Sequence, residues 1–255
     1  METTRRDFLM VGTKLLVMTA ATASALEHVI AGTIDATASY NTADHWWAML
    51  IDVDKCIGGG HCVRACKTEN DVLDEPMYFR TWVERYHINM SDPDHPLVDS
   101  PDGGINGFSE KYAEGDGKTF FVPKLCNHCA DSPCTQVCPV GATFRTNDGV
   151  VLVDKDYCIG CRYCVQACPY GCRYLDPRTH TADKCTLCYH RITRGLKPAC
   201  VEICPTQSRV FGDLKNPAPD DPLEKFYQNN RVQALKPHLG TEPRALYAGI
   251  DKEVR

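Results

Sequence analysis

Fifteen of the 16 cysteines in this chain fall into four spaced groups, and thiolates so grouped hold soft metals. The first group is Cys56-Ile-Gly-Gly59-Gly-His-Cys62-Val-Arg-Ala-Cys66. The second is Cys126-x2-Cys129-x4-Cys134-x3-Cys138, followed by Pro139. The third is Cys158-x2-Cys161-x2-Cys164-x3-Cys168, followed by Pro169, and the fourth is Cys185-x2-Cys188-x11-Cys200-x3-Cys204, followed by Pro205. A Cys-x2-Cys-x2-Cys loop points three thiolates at one cuboidal iron–sulfur cluster, while the cysteine three residues later points at another cluster. Structural zinc would need only isolated Cys-x2-Cys pairs, and three Cys-x3-Cys-Pro endings exceed that pattern. Covalent haem would need Cys-x-x-Cys-His, which does not occur.

Groups one and three are copies. Met49-Leu-Ile-Asp52 before Cys56 parallels Val151-Leu-Val-Asp154 before Cys158, and eleven further positions align without a gap at an offset of 102. Cys56, Cys62 and Cys66 fall on Cys158, Cys164 and Cys168, while Gly59 falls on Cys161. Groups two and four form a second type, so the order is a duplication, A-B-A-B. The element that must position each loop is a short apolar strand before it, such as Val150 to Val153, within a small β-hairpin. A strand is expected at Tyr78 to Tyr86 and a polar loop from Ser91 to Lys118. A helix is expected over Leu223 to Leu235, with extended chain around Pro243 to Ile250.

The remaining candidates carry less chemistry. Cys172 stands apart and reads as a buried small side chain beside a cluster. Arg162, Arg173, Lys184, Arg191 and Arg194 crowd the cysteines and offset their negative charge or form a solvated face. His128 and His190 read as packing histidines, and Trp46 and Trp47 as core or interface. Gly58-Gly59-Gly60 lies inside a cysteine loop and has no phosphate-loop context. With 255 residues, 43% hydrophobic and 24% charged, the chain is not expected to be disordered. A net charge of -5 speaks against a nucleic-acid partner.

Arg5-Arg6-Asp7-Phe8-Leu9 resembles a twin-arginine export signal; a modest apolar stretch from Leu15 to Leu26 follows, with Ala23-Ser24-Ala25 as a cleavage candidate. Export of an already folded chain lets its thiols be consumed by a cofactor before they meet an oxidising compartment.

From about residue 48 to 214, through all four motifs and Cys168-Pro-Tyr-Gly171, the sequence resembles the four-cluster iron–sulfur subunits of respiratory oxidoreductases. These include subunits of polysulfide, thiosulfate, dimethyl-sulfoxide and nitrite reductases, and of the membrane complex associated with dissimilatory sulfite reductase. Cys66-Lys-Thr-Glu-Asn-Asp71 and Tyr78-Phe-Arg-Thr-Trp82 look nearest to the exported, quinone-linked branch, including the sulfite-reductase-associated type. The resemblance implies an α+β fold of two tandem bacterial-ferredoxin-like units, loop-rich, with short hairpins and helices. The expected layout is a signal or anchor at 1–38, unit one at 45–67 plus 184–214, an insertion at 68–119, unit two at 120–183 and a tail at 215–255.

It also implies cross-ligation. Cys126, Cys129, Cys134 and Cys168 would hold one [4Fe–4S] cluster; Cys138, Cys158, Cys161 and Cys164 a second; Cys66, Cys185, Cys188 and Cys200 a third. Cys56, Cys62 and Cys204 remain, short of a ligand at Gly59. The favoured product there is a [3Fe–4S] cluster; the alternatives are a four-iron cluster with a substitute ligand, His61 being the nearby candidate, or no cluster. The implied role is single-electron relay along groups one, four, two and three, without catalysis by the chain itself. The implied partners are an integral membrane quinone-binding subunit and a c-type cytochrome or molybdenum catalytic subunit, at the periplasmic face of the cytoplasmic membrane. Rival readings are a soluble diffusible polyferredoxin and a zinc-bearing structural adaptor.

Overall fold

The computed structural model describes residues 40–108, 117–250 and Val254; the twin-arginine segment lies outside the described residues. Strand β1 (Trp47–Asp52) leads into the first cysteine loop and is buried almost throughout. A strand covered on both faces reads as a continuous apolar run, as Trp-Ala-Met-Leu-Ile does here. Met49 and Ile51 join the main core, whereas Ala48 and Leu50 face a smaller cluster. Helix α1 (His61–Asn70) leaves the loop and closes at Asp71, whose N–H bonds the Lys67 carbonyl from a left-handed conformation.

Strands β2 (Thr81–Asn89), β3 (Asp92–Asp99) and β4 (Gly117–Leu125) form an antiparallel sheet in the order β3-β2-β4. The strand expected at Tyr78 to Tyr86 therefore starts and ends three residues later. The loop expected from Ser91 to Lys118 also needs correction, because it contains β3 and the start of β4. Strand β3 is an exposed edge, and its Pro93 and Pro96 fall where the pairing with β2 is irregular, between His87↔Leu97 and Asn89↔Asp92. Proline is tolerated at such edges because no ladder hydrogen bond is lost.

The second half repeats the plan on a smaller scale. Helical turn α2 (Pro133–Gln136) lies in the second cysteine group and is followed by the hairpin β5 (Thr143–Arg145) and β6 (Val151–Val153). Turn α3 (Tyr163–Gln166) lies in the third group, and hairpin β7 (Tyr174–Asp176) and β8 (Thr181–Asp183) leads to the fourth. Turns α4 (Tyr189–Ile192) and α5 (Ala199–Glu202) follow, and then β9 (Arg209–Asp213), antiparallel to β1. Strand β7 follows the third group and β8 precedes the fourth, just as β2 follows the first and β4 precedes the second. The segment 68–119 is thus an enlarged version of the hairpin that closes in a four-residue turn at 177–180.

The tail completes the first sheet. Helix α6 (Pro222–Asn229) starts at Asp221, whose side chain accepts the Leu223 N–H, with proline in the first turn. The helix expected to reach Leu235 stops at Asn229, since Val232–Ala234 forms β10. The extended chain around Pro243 to Ile250 contains β11 (Ala245–Ala248), which pairs parallel with β1 in the order β10-β11-β1-β9. Leu223 and Phe226 of α6 cover the Ala48–Leu50 face. No helix among the described residues is long and apolar enough to cross a membrane.

One buried ion pair joins the large and small hairpins. Arg80, just before β2, meets Asp183 at the end of β8, with Nη2 2.9 Å from Oδ1 and Nε donating to Oδ2 at 3.1 Å. Arg80 also donates to Asn70 Oδ1 at 2.9 Å, and the Tyr174 hydroxyl donates to Asp183 at 2.8 Å. Asp183→Ala should lower stability by about 3–5 kcal/mol, because it strands a buried guanidinium. The double variant Arg80→Met, Asp183→Leu should cost less than the single one, as read from the thermal unfolding of the holoprotein.

Candidate metal centres

All 16 cysteines are free thiols. Cys126, Cys129, Cys134 and Cys168 line one cavity. Cys66, Cys185, Cys188 and Cys200 line a second. Cys56, Cys62 and Cys204 line a third, whose wall also contains Gly59 and His61. Each cavity therefore takes its last thiol from a different cysteine group. Of the other four ligand candidates, Cys138 and Cys158 are half-buried and Cys164 is buried. Cys158 and Cys164 pack with Cys134, Val151 and Ala182, Cys161 is exposed, and turns α2 and α3 pack together. Backbone N–H groups of Thr143 and Ala182 donate to Cys138 and Cys158 sulfurs at 3.4 Å each.

Backbone conformation aims these thiols. In group one Gly58 and Gly60 have φ of 69° and 68°; at the offset of 102, Gly160 and Arg162 have 68° and 65°. The duplicated loops thus share one left-handed pattern, which turns successive amides toward a common centre. A Cβ on Gly60 would lie 2.4 Å from the Gly104 and Ile105 carbonyl oxygens, so that position needs glycine. Arg162 in the copy shows that the conformation itself accepts a side chain.

The three cavities form a continuous row. Burial and neighbouring thiols, among them Cys126 across the boundary, push Cys185 up to about 12. Cys200 is pushed up to about 11 by burial, and Cys62 of the next cavity contributes. Burial raises Cys164, and Cys134 adds to the rise. The electrostatic neighbours across the sites are thus Cys62 and Cys200, Cys185 and Cys126, and Cys134 and Cys164.

The cations fit a negatively charged occupant. Arg173 is buried and donates to Cys134 Sγ at 3.0 Å and to Thr143 Oγ1 at 3.2 Å, while its Nε has no partner among the described residues. Arg209 is buried and donates to Thr81 Oγ1 at 2.8 Å and approaches Cys62 Sγ at 3.5 Å, with Nε and Nη1 unpartnered among the described residues. Burial disfavours its charged form, yet Cys62, Cys200 and Cys56 together hold its pKa above the ordinary arginine value. A buried guanidinium without a counter-charge is costly, and so are four thiolates that face only one another. A polynuclear iron–sulfur core bound by thiolates is anionic and relieves both costs. Among the described residues no three His, Cys, Asp or Glu side chains gather as ligands of one ion. The sulfurs ring cavities instead, as a multi-iron core requires, and the donor set fits iron–sulfur clusters.

Other sequence candidates divide clearly. Arg173 and Lys184 are buried at the sites, and Lys184 donates to the carbonyls of Val151 and Cys185. Arg162 and Arg194 are exposed, and Arg191 pairs with Glu69 and Glu202. His128 is buried and accepts the Val151 N–H at 3.0 Å; His190 meets Glu69 at 2.7 Å. Trp47 stacks on Phe211, and Arg244 lies over Trp46. The Cys172 thiol bonds the Leu125 carbonyl at 3.0 Å, as the Ser208 hydroxyl bonds the Asp52 carbonyl at 2.6 Å. Both stand four residues after a Cys-Pro cysteine, Cys168 and Cys204. Arg209 is absent from the sequence candidates, but the same spacing would have found it, since Arg173 and Arg209 each stand five residues after those cysteines.

Soft-donor cavities in a row, backed by duplicated hairpins, define a multi-cluster iron–sulfur carrier of single electrons. Residues 55–142 and 117–214 each match a family described as a 4Fe-4S dicluster domain. The chain is 40% identical over 207 residues to a subunit of the tetrathionate reductase of Salmonella typhimurium, covering 81% of this chain and 74% of that protein. It is 35% identical over 205 residues to a component of the polysulfide reductase of Wolinella succinogenes (78% and 91% covered). With the Hdr-like menaquinol oxidoreductase iron-sulfur subunit 1 of Archaeoglobus fulgidus it shares 33% identity over 249 residues (81% and 84% covered). The protein belongs to this family of iron–sulfur electron-transfer subunits of respiratory oxidoreductases.

Two outcomes check the site chemistry. Stripping iron with a chelator under oxidising conditions should abolish cooperative thermal unfolding, because Arg173 and Arg209 then stay buried without a counter-charge. Cys172→Ser should retain the iron and acid-labile sulfide of the parent, since a serine already fills the equivalent place at Ser208.

Proposed function

We propose that this chain is the exported electron wire of a membrane-associated respiratory complex, carrying three [4Fe–4S] clusters and one [3Fe–4S] cluster. The ligands are the four sets named from the family: Cys126, Cys129, Cys134 with Cys168; Cys158, Cys161, Cys164 with Cys138; Cys185, Cys188, Cys200 with Cys66; and Cys56, Cys62 with Cys204. Residues 45–67 with 184–214 make one ferredoxin-like unit, 120–183 the other, and 68–119 the insertion. The carrying observation is the sharing of thiols between groups: groups one and four together wall two cavities, and groups two and three wall a third.

Each cluster, when bound, supplies a reversible one-electron couple. The chain's own residues fix the spacing of the sites, exclude water from the middle of the row and balance its charge with Arg173, Lys184 and Arg209. The succession Cys62–Cys200, Cys185–Cys126, Cys134–Cys164 supports the order group one, four, two, three. The two ends of that order are the accessible ones. Ile57 is exposed beside group one, and Tyr157, Ile159 and Tyr163 are exposed around group three.

The group-three end faces an integral membrane quinone-binding subunit, and the group-one end faces a c-type cytochrome or a molybdenum catalytic subunit. A site short of a thiolate at that end favours the cytochrome. Export by the twin-arginine signal places the assembly at the periplasmic face of the membrane. The names of relatives, from tetrathionate reductase to menaquinol oxidoreductase, support a subunit over a free polyferredoxin.

Tagged protein should be recovered from membranes together with a multi-span subunit; recovery alone and fully soluble would overturn the complex. The oxidised protein should hold about 15 irons and show a three-iron electron paramagnetic resonance (EPR) signal. Gly59→Cys should raise the content to about 16 and remove that signal.

A further inference from the structure

We propose that His61 caps the open corner of the Cys56–Cys62–Cys204 site as a hydrogen-bond donor, and that Arg64 is the positioning residue that keeps its imidazole from becoming an iron ligand. This rests on the three-iron reading of that site.

The ring occupies the corner that the missing thiolate leaves. A Cβ built on Gly59 would lie 3.1 Å from Cδ2 and 3.3 Å from Nε2 of His61, and nearly 4 Å from the next side chain, Ile57. His61 lines the same cavity as Cys56, Cys62 and Cys204. The Cδ2–Nε2 edge of the imidazole therefore sits where a cysteine side chain would begin. Sequence alignment of the repeat hides this, because His61 matches Tyr163 and not the lost cysteine; the chain folds the ring back over position 59.

Arg64 sets the tautomer. Its Nη2 lies 3.1 Å from His61 Nδ1 and 2.9 Å from the Gly59 carbonyl oxygen, and its Nη1 donates to the Ile105 carbonyl. A guanidinium has donors and no acceptor. The contact with Nδ1 is a hydrogen bond only if Nδ1 accepts, which leaves the proton of the neutral ring on Nε2. Iron ligation through Nε2 would need the lone pair there and the proton on Nδ1, so two N–H groups would then face each other across the Arg64 contact. The ring is thus held as an N–H donor at the corner.

The internal repeat shows these features changing together. Where group three has Cys161, Tyr163 and Gln166, group one has Gly59, His61 and Arg64. A thiolate is lost, and an imidazole and a guanidinium that holds it are gained, in one turn of chain. Hydrogen bonds to cluster sulfur stabilise the more negative, reduced form and raise the reduction potential. His61 and Arg64 accordingly make the group-one site the more oxidising end of the wire.

The test uses the full chain in its membrane complex and EPR-monitored redox titration. His61→Phe keeps the ring volume without an N–H and should lower the midpoint of the three-iron signal, leaving the other clusters unmoved; His61→Gln should restore part of the shift. Electron–nuclear double resonance after exchange into deuterated water should show an exchangeable deuteron in the parent and lose it in His61→Phe. Arg64→Met should release Nδ1, weaken the three-iron signal and introduce a strongly coupled nitrogen. If the parent shows a three-iron signal while His61→Phe leaves midpoint and deuteron unchanged, the cap is refuted and the three-iron site stands. A directly bonded nitrogen in the parent, or no three-iron signal at full iron loading, overturns both.

Discussion

A cavity walled by buried thiols cannot ionise on its own account: each thiolate would be repelled by the others and starved of water. The raised thiols of Cys66, Cys129 and Cys185 express that penalty, with burial as the first cause in each. Buried guanidiniums carry the opposite penalty, and Arg173 and Arg209 stand beside the sulfurs with N–H groups unsatisfied by protein among the described residues. Neither set of groups is stable in the interior alone, and together with a thiolate-bound core both are. This mutual dependence explains how a chain of 255 residues buries so much charge. The cofactor does the work that a larger apolar core would otherwise do.

Sharing thiols between groups then dictates topology. A cavity that needs Cys66 from α1 and three thiols from residues 185–200 cannot form until the two ends of the duplicated region meet. The same holds for Cys204 and group one. Strands β1 and β9 bring those ends together as antiparallel neighbours, and β11 locks β1 from its other side. The tail is therefore a structural part of the first half, because without β11 and α6 one face and one edge of β1 would lie open. Tyr247 of β11 is fully buried, which shows how deeply the tail is inserted.

The cysteine groups were legible because their spacing is local: loop, helical turn and proline act within a dozen residues. The strands before the loops were legible for the same reason, as Val151–Val153 shows. The parts that were not legible depend on distant partners. Strand β3, with Pro93, Pro96 and three aspartates, looks like a loop until β2 supplies its ladder. Strand β10 is short, and its strand character comes from pairing with β11. Arg209 was missed because a single arginine carries no pattern, whereas the repeat of its spacing in Arg173 does.

The duplication also explains why the two ends of the row differ. Gene-level copying produces two equal loops, and the A-type loops still share left-handed positions at the offset of 102. Their surroundings are unequal because the large hairpin folds over one of them only: Gly60 packs on the Gly104 and Ile105 carbonyls, and Gly58 packs on the Phe121 ring. Arg64 reaches across to Ile105 from the same loop. Thus the segment that enlarges one hairpin is also the segment that crowds group one, and the crowding demands glycine at positions 58 and 60. The loop around Cys161 is covered by the small hairpin instead, where Gly160 packs on the His180 carbonyl. The two loops therefore differ in the hairpin that packs on them, and the change from cysteine to glycine at position 59 lies in the loop that the insertion covers.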